Sequence, residues 1–390
     1  MATHQATGGN GPRRRRRRGG GGVIGNPVPA LLVGVGLAWL ALSERRRGAP
    51  ARAGAGGVDA PAAADRPDAH ARGLHAESPT EVPARGWKEV LLRVKDEVTK
   101  DNMSIVAAGC AFYALLALFP AITAMVSTYG LVADPADVER HMQALAGVVP
   151  GDAFAIIRDQ THAVAAGGET ALGWGAALAL VLALYSASSG VQTLFTALNI
   201  AYEEDETRGF LAFYLTSFAF TLAAVLGIAL ALGVLVGVPA ALAFLPVSPV
   251  TEWVVRLASF AILLVIVVGG ISAIYRFGPS RAPADWRWLT PGAIAATVLW
   301  LLASLGFSWY AANFAGYNET YGTLGGVIAL LMWLWISAYV VLLGAELNSE
   351  LELQTAHDTT TGPDLPEGQR GAFAADHNPD TRAAADAARG

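Results

Sequence analysis

A carboxylate inside a long apolar run is the first group in this sequence that could do chemistry. Glu346 sits in Gly344-Ala345-Glu346-Leu347-Asn348, at the end of an uncharged stretch that begins near Leu324. A charge within a membrane span is expensive and needs a partner, a proton or a function. Two roles are open for it. It can pair with Arg208, Arg276 or Arg281 and lock one side of the protein, or it can act as a protonatable coupling group. A second acidic group, Glu203-Glu204-Asp205-Glu206, lies beside Arg208 and reads as a solvated turn.

Hydroxyls and amides in other apolar runs form the next set. Ser186, Ser188, Ser189, Gln192 and Thr193 share one run, with Asn199 at its end. Tyr113 follows the small residues Ala107-Ala108-Gly109-Cys110-Ala111, and Tyr310, Asn313 and Tyr317 are spaced i, i+3, i+7. Together they could line a polar passage. Small and hydroxyl residues also let helices approach closely and bond back to their own backbone. Aromatics near a membrane boundary commonly form an interfacial belt. Gln192 fits the packing reading least well, because its amide needs a partner in hydrocarbon.

Several chemistries find little support. There is one cysteine, Cys110, so no disulfide framework is possible within the chain. The seven histidines are scattered and lack metal-ligand spacing. No GxxxxGK[ST] loop, dinucleotide-binding glycine loop or Ser/His/Asp arrangement is readable. No cofactor or metal is expected. RNA hydrolysis usually needs clustered carboxylates, histidines or a metal. The inner loops offer only Glu203 to Glu206 and Asp285, with no histidine before the C-terminal tail, so no nucleic-acid partner is expected.

The elements that must position these groups are set by the solvent they imply. The 390 residues are 53% hydrophobic and 15% charged, against about a quarter charged in soluble domains. Charges crowd into the ends and a few loops, leaving runs that exceed the roughly 20 residues needed to span a bilayer. The expected fold class is an all-α polytopic membrane protein: a six-helix transmembrane bundle with an outer helical hairpin and an interfacial N-terminal amphipathic helix.

Six spans are predicted, at 103–129 with Pro120 inside, 172–199, 211–237, 253–275, 291–313 and 324–347. Pro239, Pro246 and Pro249 divide the third from the fourth, and Thr290-Pro291 reads as the start of the fifth. In 130–171, Val138, Met142, Leu145 and Val149 have helical spacing, and Phe154 and Ile157 continue it after Pro150-Gly151, which makes the outer hairpin. Trp87, Val90, Leu91, Val94 and Val98 share one face of a helix over 84–100. That helix lies along the interface, packs on the bundle end, or both.

Lys and Arg set the orientation. Arg85, Lys88, Arg93, Lys95, Lys100, Arg208, Arg276, Arg281 and Arg287 fall on one side, and only Arg140 and Arg158 in the loops of the other. Both ends of the core are therefore expected in the cytoplasm. Residues 1–83 read as a disordered, Arg-rich region with a short apolar segment at 27–43. That segment is best read as half-inserted, with a full span or a signal peptide as alternatives. Residues 84–352 form the membrane domain, and 353–390 are expected to be a disordered tail.

Three stretches resemble the YihY/BrkB family. They are AAGCAFYALLALFPAI at 107–122, NIAYEEDETRGF at 199–210, and the run from YRFGPSRAPADWRWLTPGA at 275–293 to NFAGYNETYGTLGGVIALLMWLWISAYVVLLGAELNSE at 313–350. Asn199, Tyr202 and Arg208 fall at positions associated with the family. The resemblance covers about residues 85–352 and implies a six-helix protein of the bacterial inner membrane. It brings no catalytic residue with it. Family members have carried the label ribonuclease BN, and others are associated with serum resistance or movement of envelope lipids. The expected function is thus a transporter or flippase-like protein acting on a lipid or other amphipathic envelope molecule, with membrane lipids as partners. A non-transporting scaffold is the alternative, and the tRNA-processing reading is disfavoured by the residues.

Overall fold

The computed structural model describes residues 68–130, 158, 174–238, 242, 248–313 and 324–382. The apolar segment at 27–43 lies outside the described residues, as does the expected outer hairpin apart from positions 130 and 158.

The described chain is helical. Helix α1 is Ala84–Lys100, α2 is Met103–Gly130 and α3 is Trp174–Ala201. Helix α4, Phe210–Leu232, runs into a π-helical turn at Gly233–Gly237. Helix α5 is Pro249–Phe277, α6 is Trp286–Asn313 and α7 is Leu324–Glu352. Five of these are long and apolar enough to cross a membrane, and α1 with the start of α2, bent by 64°, makes a sixth candidate. The chain is therefore a polytopic all-α membrane protein.

The α1–α2 bend has a local cause. Asn102 adopts a left-handed conformation with φ of 52°, which asparagine tolerates better than most residues. Its carbonyl then accepts from the amides of Ile105 and Val106 and starts α2 afresh. The amphipathic face of α1 is divided by this geometry. Val90 and Val94 are buried with Trp288 and Leu351, while Leu91 and Leu92 remain more than half exposed.

Helix α7 is the hub and touches α1, α2, α3 and α6. The main core gathers at one end of the bundle, here called basal, where Met103, Phe195, Leu198, Tyr202, Tyr275 and Leu342 are buried together. Along α5, by contrast, Val250, Leu257 and Val265 are 70% exposed or more. In water that surface would be an association hazard; against lipid tails it carries no penalty.

Two expectations are corrected. Helix α6 begins at Trp286, a turn before Thr290-Pro291. Asp285 starts it instead, its carbonyl accepting from the Trp288 amide at 3.0 Å, and Pro291 is carried inside the helix. The C-terminal segment is also not a loose tail: residues 353–382 fold onto the basal end. Arg370 donates to the carbonyls of Ala356, Leu365 and Ala375, and the Asp376 carboxylate accepts from the amides of Gly368, Arg370 and Gly371. Ala284 and Thr360 form an isolated β-bridge. Side-chain-to-backbone bonds of this kind leave no periodic trace in a sequence, which is why the segment reads as featureless.

Candidate functional site at the basal end

The polar residues of α3 look inward to their own helix. Ser188 Oγ donates to the Tyr185 carbonyl at 2.6 Å, Ser189 Oγ to Ser186 at 2.8 Å and Thr193 Oγ1 to Ser189 at 2.9 Å. Gln192 Nε2 donates to Ser188 Oγ at 2.9 Å, one turn away on the same helix. Gly190 lies against Ala117 and the backbone of Ala114 on α2, so a Cβ there would sit 3.3 Å from the Ala117 methyl. This is the geometry of a helix contact. Tyr113 and Tyr310 are both more than a third exposed; Tyr317 and the side chain of Asn313 lie outside what is described.

Asn199 and Arg208, by contrast, meet in one knot. Arg208 forks onto the Glu206 carboxylate at 2.8 and 2.6 Å and donates to the Gly278 carbonyl at 2.8 Å. Its guanidinium stands 5.4 Å from the ring centres of both Phe195 and Phe213. Asn199 donates to Glu206 at 3.0 Å and accepts from the Ser280 amide at 2.8 Å. The end of α3 is thereby tied to the end of α5. Burial works against the Glu206 charge, but the bonds from Arg208 and Asn199 outweigh it and hold the carboxyl below its ordinary value.

The expected Arg208–Glu346 pair is not made, and neither Arg276 nor Arg281 takes its place. Glu206 is two residues from Arg208 and captures it locally. Arg276 donates to the Ala284 carbonyl and packs on Trp286, 4.9 Å from the ring centre. Arg281 forms a bidentate pair with Glu352 at 2.5 and 3.3 Å, with both side chains at most 2% exposed. The Tyr202 ring lies 5.0 Å from that guanidinium, and Thr359 donates to Glu352 at 3.0 Å. Glu346 itself is 2% exposed, and its Oε1 has no hydrogen-bond partner. Its acidic neighbours are Asp101, Glu350, Glu97 and Glu203.

The acidic loop is likewise not a solvated turn. Glu203 pairs with Arg382, and Glu204 accepts from the Phe373 amide at 2.7 Å. Burial pushes both carboxyls above the ordinary glutamate value, against the pull of Arg382 on Glu203 and of the Phe373 amide on Glu204. Between this loop, residues 276–283 and residues 371–377 lies a cleft of about 820 Å³. Asp205, Arg208, Arg276, Arg281, Phe277 and Phe373 are among its walls. Phe277 is 45% exposed, and Phe210 and Leu211 on the neighbouring helix are exposed too. A charged recess thus opens next to apolar surface.

Residues without a sequence signal complete the site. Asn348 clamps α6 beside Pro291, accepting from the Gly292 amide at 2.7 Å and donating to the Leu289 carbonyl at 2.9 Å. Trp300 donates to Ser337 at 3.0 Å and Trp333 to Ser304 at 3.4 Å, cross-linking α6 and α7 in both directions. Arg382 comes from the segment expected to be disordered.

The profile of the family described as Virulence factor BrkB matches residues 94–368. The chain is 32% identical over 259 residues to the putative ribonuclease-like protein YfkH of Bacillus subtilis, covering 63% of this chain and 88% of that protein. It is 38% identical over 101 residues to a UPF0761 membrane protein of Tolumonas auensis, a quarter of this chain and a third of that one. A UPF0761 membrane protein of Pseudoalteromonas translucida is 32% identical over 124 residues, 28% of this chain and 41% of that one. No solved structure matches. With its profile match running from α1 through all the described spans into the C-terminal segment, the chain is a membrane protein of the BrkB virulence factor family.

Proposed function

We propose that this chain is a transport protein of the bacterial cytoplasmic membrane that moves a lipid or other amphipathic envelope molecule. The observation that carries the reading is the basal cleft, whose walls include the exposed Phe277 and the charged Arg208, the latter just before the exposed Phe210 and Leu211 at the start of α4. A molecule with a polar head and an apolar tail meets matching chemistry on both sides of that boundary. The buried Glu346 carboxyl supports it, because an ionisable group inside a span is retained at a cost when it serves a function. The basal end is assigned to the cytoplasm because Arg208, Arg276, Arg281 and Arg287 gather there.

The test is reconstitution. Full-length protein in liposomes carrying a fluorescent phospholipid in one leaflet should speed its appearance in the other well beyond the rate in protein-free vesicles. Rates equal to those of empty vesicles, from protein that is folded and inserted, would end the lipid-transport reading.

A further inference from the structure

Arg382 is only 6% exposed, and three carboxylates from three different elements converge on it. Its Nη2 lies 2.8 Å from Glu97 of α1 and also pairs with Glu203 at the end of α3, while Nη1 lies 2.6 Å from Glu350 of α7. One turn below Glu350 on α7 is Glu346, buried and with Oε1 unpartnered. The charged groups around this point are Arg93, Glu97, Lys100 and Asp101 from α1 and the bend after it, Glu203 from α3, Glu346 and Glu350 from α7, and Arg382. Arg93 is bound to Glu350 and Gln354, and Lys100 to Glu97 at the rim. Among the described residues, five carboxyls would share two cations without Arg382.

The backbone also shows that the acidic arrangement is held at a cost. Glu203 has a φ of 54° and occupies the left-handed position after a helix end, where glycine is the usual residue. The Glu204 amide closes the motif on the Asn199 carbonyl at 2.8 Å. A glutamate persists in such a conformation when its surroundings over-determine it, and here its carboxylate is aimed at the shared cation. Among the described residues no group of three or more potential ligands could hold a metal ion. The occupant in this structure is a guanidinium, whose Nη1 donates to Glu350 while Nη2 stands between Glu97 and Glu203 as a charge contact.

We propose that the basal end carries a binding site for a guanidinium-type organic cation, built from Glu97, Glu203 and Glu350 above the Glu346 carboxyl, and that Arg382 of the chain's own C-terminal segment fills it in this structure. The site is independent of whether the protein moves lipid. When Arg382 leaves, a free cation of the same chemistry takes its place, and in its absence Glu346 is uncovered.

Chemical rescue tests this. The full chain with Arg382→Ala, purified in detergent, should melt at least ~5 °C lower than the parent, since a buried charge cluster has lost its shared partner. Millimolar methylguanidinium should restore most of that loss saturably, ethylammonium should restore much less, and the parent protein, in which the free cation must compete with Arg382, should be stabilised far less. Adding Glu203→Gln and Glu350→Gln to Arg382→Ala should abolish the response. If Arg382→Ala cannot be purified, hydrogen exchange over residues 370–382 of the unaltered protein gives a second reading. Methylguanidinium should accelerate it by displacing Arg382, and ethylammonium should do so much less. Absence of rescue, equal stabilisation of parent and variant, or exchange that methylguanidinium leaves unchanged would overturn the site.

Discussion

Gly344→Ala should be among the most damaging single-methyl additions in this protein. Gly344 on α7 faces Gly292 on α6, where the two helices pass backbone to backbone. A Cβ built on Gly344 would stand 2.5 Å from the Tyr275 hydroxyl, 2.6 Å from the Gly292 carbonyl oxygen and 2.9 Å from the Ala296 methyl. None of these atoms can swing away. The first is fixed by its own bond to the Val341 carbonyl at 2.6 Å, and the second is backbone. The helices must separate by roughly half an ångström or more, which costs about 1–3 kcal/mol for overpacking a tight contact.

Gly306→Ala is the matched control. It lies in α6 with nothing within 4 Å of the added methyl, and alanine is favoured over glycine in a helix by about 0.8–1 kcal/mol. The two substitutions are chemically identical and should have opposite signs. Thermal unfolding in detergent, followed by loss of the monodisperse peak on size exclusion, reads both. Should Gly344→Ala melt at or above Gly306→Ala, the α6–α7 crossing is looser than backbone-to-backbone contact and the reasoning fails.

Two further outcomes follow from the basal contacts. Asn348→Leu strands the Gly292 amide and the Leu289 carbonyl in a buried position, so it should destabilise by ~2–4 kcal/mol, whereas wild-type stability in that variant would show that the clamp is idle. Glu206 binds its proton less readily when folded than when unfolded, so its contribution is complete above the ordinary value of 4.5 and drains away as pH falls through the lower folded value. Glu206→Gln should therefore lower stability near neutrality by about 1–3 kcal/mol and flatten the acid limb of the melting curve, and superimposable pH profiles for the two proteins would contradict that assignment.

What the sequence discloses and what it hides divide along physical lines. The long helices are legible because hydrocarbon demands uninterrupted apolar runs, and α2 through α7 fall close to where those runs lie. The Asn199–Arg208 region is legible as a resemblance, although the bond partners Glu206 and Ser280 are not. Glu346 stands out as a carboxyl in a span, but its neighbours could not be read from the chain: any of three arginines would have served by distance along the sequence. Arg208 and Arg276 are instead taken by nearer acceptors, Glu206 and the Ala284 carbonyl, and Arg281 by Glu352, farther along α7 than Glu346. Residues 353–382 were the least legible part, because short polar segments held by caps and carbonyl bonds look the same on paper as segments held by nothing. Pro291 misled for a related reason. Its type suits a helix start, yet the actual start is fixed by Asp285 and by an asparagine more than fifty positions away.

The Arg382 contacts bear on how the protein is made. Glu97, Glu203 and Glu350 leave the ribosome in that order, and the arginine that bridges all three emerges after α7, the last of the described spans. The basal end thus stays electrically unfinished until Arg382 itself has emerged. A chain stopped just short of that residue would present a carboxylate-rich opening to quality-control proteases, so closure of the basal end is registered at a single position.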